Sequence, residues 1–181
     1  MIKTIGMLEL NSIAKGLETA DKVVKAGEVD LLLARTICPG KYIILITGNV
    51  GAVKSAINTG EEFAQEYLVD KLMLPNVHCQ VIPAINEATN VEKIKDLGVL
   101  EFFSVSAAII AADAAVKSAN VDLIELRLGI GIGGKSFVTL TGDVSSVKNA
   151  VTVGANTALD NGMFVNKAVI SGPDKQLIKF L

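Results

Sequence analysis

Gly98-Val99-Leu100-Glu101-Phe102-Phe103-Ser104 restates Gly6-Met7-Leu8-Glu9-Leu10-Asn11-Ser12 at a distance of 92 residues, with Gly, Leu, Glu and Ser in the same places. The same spacing pairs Ala20, Asp21, Val24 and Lys25 with Ala112, Asp113, Val116 and Lys117. It also pairs Val29, Asp30, Leu31 and Arg35 with Val121, Asp122, Leu123 and Arg127. Twelve identities fall in the 31 positions from Ile5 to Arg35, far more than chance supplies, so the chain is a tandem repeat. Past Arg35 the spacing becomes 94, and Lys41, Thr47, Gly48, Val50, Val53, Lys54 and Ala56 meet Lys135, Thr141, Gly142, Val144, Val147, Lys148 and Ala150. The slip falls inside one turn, which reads Ile37-Cys38-Pro39-Gly40 in the first copy and Leu128-Gly129-Ile130-Gly131-Ile132-Gly133-Gly134 in the second. A frame that is kept while one tip diverges is the pattern of loops carrying function on a common scaffold.

Within a copy the elements follow from local patterns. The apolar run from Lys3 to Leu10, containing Gly6 and Glu9, reads as a strand. Ser12 can N-cap a helix whose apolar positions Ile13, Leu17, Ala20 and Val24 recur at helical spacing and end near Gly27. Val29 to Arg35 and Tyr42 to Thr47 are short, Leu- and Ile-rich strands separated by the turn formers Pro39 and Gly40. Gly48-Asn49 supplies a turn and a second N-cap for a helix running towards Leu68, and Val69 to Leu74 reads as another strand. The polar, irregular stretch over residues 75–96 is the join, giving domains 1–90 and 91–181. Two α/β repeats of equal size predict a tandem α+β pair rather than one doubly wound sheet.

Composition narrows the function classes. The 181 residues are 50% hydrophobic and 20% charged with a formal net charge of -2, so neither nucleic acid nor a polybasic membrane patch is suggested. The N-terminus lacks the uninterrupted apolar core of a signal peptide, and no apolar run is long enough to span a bilayer. A cytosolic protein is expected, in which Cys38 and Cys79 stay reduced. Low aromatic content and positive mean hydropathy point to an aliphatic core with buried subunit contacts.

Four features compete as sites. Gly129 to Ser136 matches the phosphate-binding pattern G-x-x-x-x-G-K-[ST], but that loop needs a helix starting at Lys-Ser, and Ser136 to Thr141 reads as a strand. A glycine-rich turn whose backbone closely approaches a symmetry axis or small ligand is the better reading. His78 is the sole histidine; it could serve Cys38 or Cys79 as a base, although simple packing of His78-Cys79 is the stronger reading. Lys25 and Lys117 end matching helices, where a cation complements the dipole and Asp21 or Asp113 could pair with it on the exposed face, or where a repeated edge contact could lie. Cys38 is either inert filler or an accessible thiolate at a turn tip. One cysteine cannot hold an iron-sulfur cluster, but three copies around an axis offer three thiolates.

Gly6-Met7-Leu8-Glu9, the helix end Ala20-Asp21-Lys22-Val23-Val24-Lys25-Ala26 and Gly48-Asn49-Val50-Gly51-Ala52-Val53-Lys54, each met again in the second half, resemble the bacterial microcompartment shell domain. The resemblance covers nearly the whole chain. More narrowly, the chain is similar to the tandem-domain, trimeric iron-sulfur shell proteins of propanediol-utilisation microcompartments, whose pore turn likewise reads Thr-Ile-Cys-Pro-Gly-Lys. The resemblance implies two ferredoxin-like α+β sandwich domains in unpermuted order and a homotrimer forming a pseudohexagonal tile. It implies one [4Fe-4S] cluster per trimer on Cys38 of three subunits, the fourth ligand not coming from the cysteines. The pore would be lined by Ile37, Cys38, Pro39 and Gly40 and by Gly131, Ile132, Gly133 and Gly134, and Lys25 and Lys117 match lysines at tile edges. The family's C-terminal edge segment is represented by Val81-Ile82-Pro83-Ala84 and by Val169-Ile170-Ser171-Gly172-Pro173. Implied partners are other shell proteins and a redox enzyme or flavoprotein in the lumen, with no nucleic acid and no membrane. The role expected is structural, with electron transfer or cluster exchange across the shell, and not enzymatic. The alternatives are a cluster-free metabolite pore and a thiol-dependent enzyme using Cys38 or Cys79 with His78.

Overall fold

A computed structural model of the protein describes residues 4–91 and 93–181, so Lys3, the expected start of the first strand, lies outside the described residues. The chain separates into two compact units, Met1–Val77 and His78–Leu181. In the first, β1 (Thr4–Leu10), α1 (Ile13–Lys25), β2 (Val29–Ile37), β3 (Lys41–Gly48), α2 (Val50–Ala64) and β4 (Leu68–Pro75) succeed one another. After α3 (Val81–Ile85), the second repeats the series as β5 (Asp96–Phe102), α4 (Val105–Ser118), β6 (Val121–Leu128), β7 (Ser136–Gly142), α5 (Val144–Asn156) and β8 (Phe164–Ile170), with a last short helix α6 (Lys175–Ile178). Each unit holds one antiparallel sheet, ordered β2-β3-β1-β4 and β6-β7-β5-β8. The tandem α+β architecture expected from the repeat is the one observed.

The caps explain where helices begin. The side chain of Ser12 accepts the Lys15 N–H and that of Asn49 the Ala52 N–H, so each satisfies one of the free donors of a first turn. Ser104 does the same for the Ala107 N–H, and Asp143 accepts from both Ser145 and Ser146. One boundary differs from expectation. The helical spacing of Val50, Val53, Ile57 and Phe63 runs on to Leu68, yet α2 stops at Ala64, where Gln65 turns left-handed at φ 52° and Leu68 opens β4. The join is not wholly irregular either. Val81, Ile82, Ala84 and Ile85 form a buried helical turn, and Pro83 sits in its first turn, where a missing N–H costs nothing.

The core of the first unit lies between its sheet and α1 and α2: Leu8, Leu10, Val23, Ile44, Ile46, Val53 and Ile57 are buried together. The packing of α2 on β1 requires glycine. A Cβ at Gly6 would stand 2.7 Å from Ile57 Cγ1 and 2.8 Å from Val53 Cγ1, and one at Gly60 would collide with Leu8. The second unit repeats the contact, with Gly98 beneath Val147 and Val151 and Gly154 against Leu100.

Gly6→Ala is therefore expected to destabilise the first unit by roughly 1–3 kcal/mol through overpacking, read as a lower urea midpoint in equilibrium unfolding. The Asp143 cap gives a second expectation. Hydrogen bonds from the Ser145 hydroxyl, the Ser146 N–H and the Ser146 hydroxyl hold its carboxyl far below the usual carboxylate range. A depressed folded value contributes stability above the unfolded value near pH 4 and loses it as pH falls below that. The Tm advantage of wild type over Asp143→Asn should thus be larger at pH 7 than at pH 3, whereas the neutral cap Asn49 confers no such dependence.

Candidate functional site

β2 and β3 are joined by only Cys38, Pro39 and Gly40, with Ile37 facing Lys41 on the last rung. Ile37 is buried, Cys38 half-buried, and Pro39 and Gly40 exposed. Gly40 has φ 76°, a conformation that favours glycine, and open space where a Cβ would project. The tip thus offers one thiol on a short, tightly held turn.

The equivalent connection in the second unit runs from Gly129 to Lys135. Gly129, Gly131, Gly133 and Gly134 all have positive φ, between 66° and 83°. The Gly129 N–H donates to the Lys135 carbonyl at 3.1 Å and the Lys135 N–H to the Ile132 carbonyl at 3.3 Å, closing the loop on itself. Ser136 then opens β7, so no helix N-terminus points into the loop and the phosphate-binding reading fails on geometry. Gly131 and Gly133 are exposed, while Ile132 and Gly134 are half-buried.

Both tips stand on the same stem. Lys41 Nζ lies 2.7 Å from Glu9 Oε1, and Lys135 Nζ lies 3.1 Å from Glu101 Oε2. The glutamate of each Gly-x-x-Glu strand thus fixes the lysine at which the tip rejoins the sheet. Sequence reasoning recorded all four residues as repeated letters and missed the pairing; the signal was their joint recurrence. The two pairs differ in burial, since the Glu9 side chain is 6% exposed and the Glu101 side chain 36%.

The remaining candidates sit apart from the tips. Lys25 pairs with Asp21 at 2.7 Å and Lys117 with Asp113 at 2.6 Å, each one helical turn apart. Only the first pair lies on an exposed face: the Asp113 carboxylate is buried, and its Oδ1 also accepts the His78 N–H at 2.7 Å. The His78 ring accepts the Gln80 N–H through Nδ1 at 3.4 Å, and no hydrogen bond joins it to a thiol. Cys79 is exposed. Among the described residues no group of three His, Cys, Asp or Glu side chains could hold a metal ion. No helix among them is long and apolar enough to cross a membrane.

Duplicated sheets of this order, with a Gly-x-x-Glu central strand under a glycine-bearing helix, define a domain class. The BMC domain family pattern matches residues 4–77 and again 96–173, and the chain belongs to that family. The chain is 47% identical to the bacterial microcompartment shell protein PduT of Citrobacter freundii over 98% of its own length and 96% of that protein. A crystal structure of a microcompartment protein from Desulfitobacterium hafniense DCB matches with a TM-score of 0.94 at 51% identity, covering 99% of both chains. The fused permuted hexameric shell protein MSM0275 of the RMM microcompartment shares the fold, with a TM-score of 0.62 at 21% identity over 87% of this chain and 85% of that one.

The difference between the stems is testable. Lys41→Ala leaves a buried carboxylate unpaired and should cost on the order of 3 kcal/mol in urea unfolding. Lys135→Ala breaks a pair open to solvent and should cost no more than about 1 kcal/mol.

Proposed function

We propose that this protein is a structural shell component of a bacterial microcompartment, and that three copies form a pseudohexagonal tile whose central pore carries one [4Fe-4S] cluster. The observation that supports the reading best is Cys38 itself, a lone half-buried thiol on a three-residue tip whose stem is pinned by Glu9–Lys41. Family membership and the 47% identity to PduT support the shell role.

The donor set fits such a cluster only across copies. One chain contributes a single thiolate at the tip, and no metal-holding group of His, Cys, Asp or Glu occurs among the described residues. Three Cys38 thiolates around a threefold axis would leave the fourth iron to a ligand from outside the cysteines. Ile37, Pro39 and Gly40 would line the pore beside them, with the second-unit tip offering the bare backbone of Gly131, Gly133 and Gly134 and the side chain of Ile132. The bound cluster would supply one-electron chemistry, for electron transfer or cluster exchange across the shell. Lys25 and Lys117 would lie at tile edges, where other shell proteins abut, and a redox enzyme or flavoprotein on the lumen side would be the electron partner. The protein itself performs no reaction on a carbon substrate under this reading.

An anaerobic visible spectrum with iron and sulfide quantified, on wild type and Cys38→Ser side by side with light scattering, tests it. The expected result is a brown trimer with about one cluster per three chains, bleached by the substitution without loss of mass. A colourless, iron-free wild-type trimer would overturn the cluster and leave a thiol-lined metabolite pore.

A further inference from the structure

The repeat extends past the last strand of each unit. In register, Gly6 faces Met73 and Gly98 faces Val169, so β4 and β8, together with the segments just beyond them, correspond at a spacing of 96 residues. At that spacing Gln80-Val81-Ile82 meets Gln176-Leu177-Ile178. Asn76 and Gly172 also correspond, and both turn left-handed, at φ 53° and 55°. Residues 78–85 and 174–181 are thus two copies of one tail.

The first copy is docked. Its α3 packs against β6 and α4, and Val81, Ile82, Ala84 and Ile85 are buried. The Gln80 side chain spans the edge of β6: Nε2 donates to Asp122 Oδ1 at 3.0 Å, and Oε1 accepts the Leu123 N–H at 2.8 Å. The His78 N–H donates to Asp113. On the α4 and β6 that this tail meets, Val105, Ile109, Val116 and Leu123 are 0–6% exposed.

Both halves of the equivalent contact are bare. The first-unit counterparts Ile13, Leu17, Val24 and Leu31 are 41%, 56%, 38% and 45% exposed. The matching tail is bare as well, with Leu177 and Leu181 each 42% and Phe180 87% exposed. An apolar stripe built like a covered one lacks its cover, and a tail built like a docked one lacks its seat.

We propose that the C-terminal segment 174–181 of one copy docks on α1 and β2 of a second copy, as 78–85 docks on α4 and β6. Gln176 lies at the edge of β2, donating to the Asp30 carboxylate and accepting the Leu31 N–H. The Asp174 N–H donates to Asp21, and Leu177 and Ile178 cover Ile13, Leu17 and Leu31. The donor and acceptor surfaces differ, so the contact is head-to-tail and propagates until it closes a ring. Closure at three copies rests on the tile reading; the contact itself does not.

Two versions of the chain lacking both native cysteines test this, one carrying Asp30→Cys and the other, tagged, Gln176→Cys. After co-expression in equal amounts and treatment with a short bis-maleimide, about half of the tagged chain should run as a two-chain species, because the neighbour that receives its tail carries Asp30→Cys about half the time. The cross-link should disappear when either new cysteine is omitted, and a chain ending at Gly172 should fall to single-chain mass in light scattering while keeping its circular dichroism. If wild type is a multimer but no interchain product forms, or the shortened chain keeps full mass, the docking is wrong and the tile reading stands. A monomeric wild type would overturn both.

Discussion

Each unit depends on one close approach, that of α2 to β1 or of α5 to β5. Gly6 and Gly60 meet the residues opposite them with no space for a Cβ, and Gly98 and Gly154 do the same. This proximity seats Val53 and Ile57, or Val147 and Val151, on β1 or β5, an inner strand of its sheet. With β1 fixed, Glu9 sits three residues along it, where it meets Lys41 at the start of β3. The Gly-x-x-Glu pattern is therefore one device. The glycine admits the helix, and the glutamate anchors the stem on which a tip is carried.

Most of the frame was legible because its signals are local. Ser12, Asn49 and Ser104 cap helices, short Leu- and Ile-rich runs form strands, and Pro39-Gly40 makes a turn. What escaped was short or dependent on tertiary contact. Five residues with a proline inside, Val81 to Ile85, show no helical period, and only their burial makes them a helix. The end of α2 is set by Gln65 adopting a left-handed conformation, for which its residue type gives no warning. Asp21 and Asp113 are the same letter in the same helix position, and only the fold separates an exposed ion pair from a buried one holding a main-chain N–H.

The tips show the opposite balance. Their residues stood out in the sequence because the repeat breaks there, and the structure gives them well-defined but contrasting forms: a three-residue turn with a thiol, and a seven-residue glycine loop closed by its own backbone. Their chemistry was not legible from one chain, because a single thiolate has no partner within it. Duplication makes the contrast workable. A ring of identical single domains presents the same tip at every position, whereas a fused pair can vary one tip and leave the other alone.

The seat of the first tail has a thermodynamic side. Residues 78–85 cover α4 and β6 within the same polypeptide, so this contact forms at an effective concentration fixed by the connecting chain, on the order of millimolar for a short flexible linker. Were residues 78–85 carried on a separate polypeptide, the same surfaces would meet only as fast and as often as their bulk concentrations allowed. Fusion therefore makes this association independent of expression level, and dilution cannot reverse it.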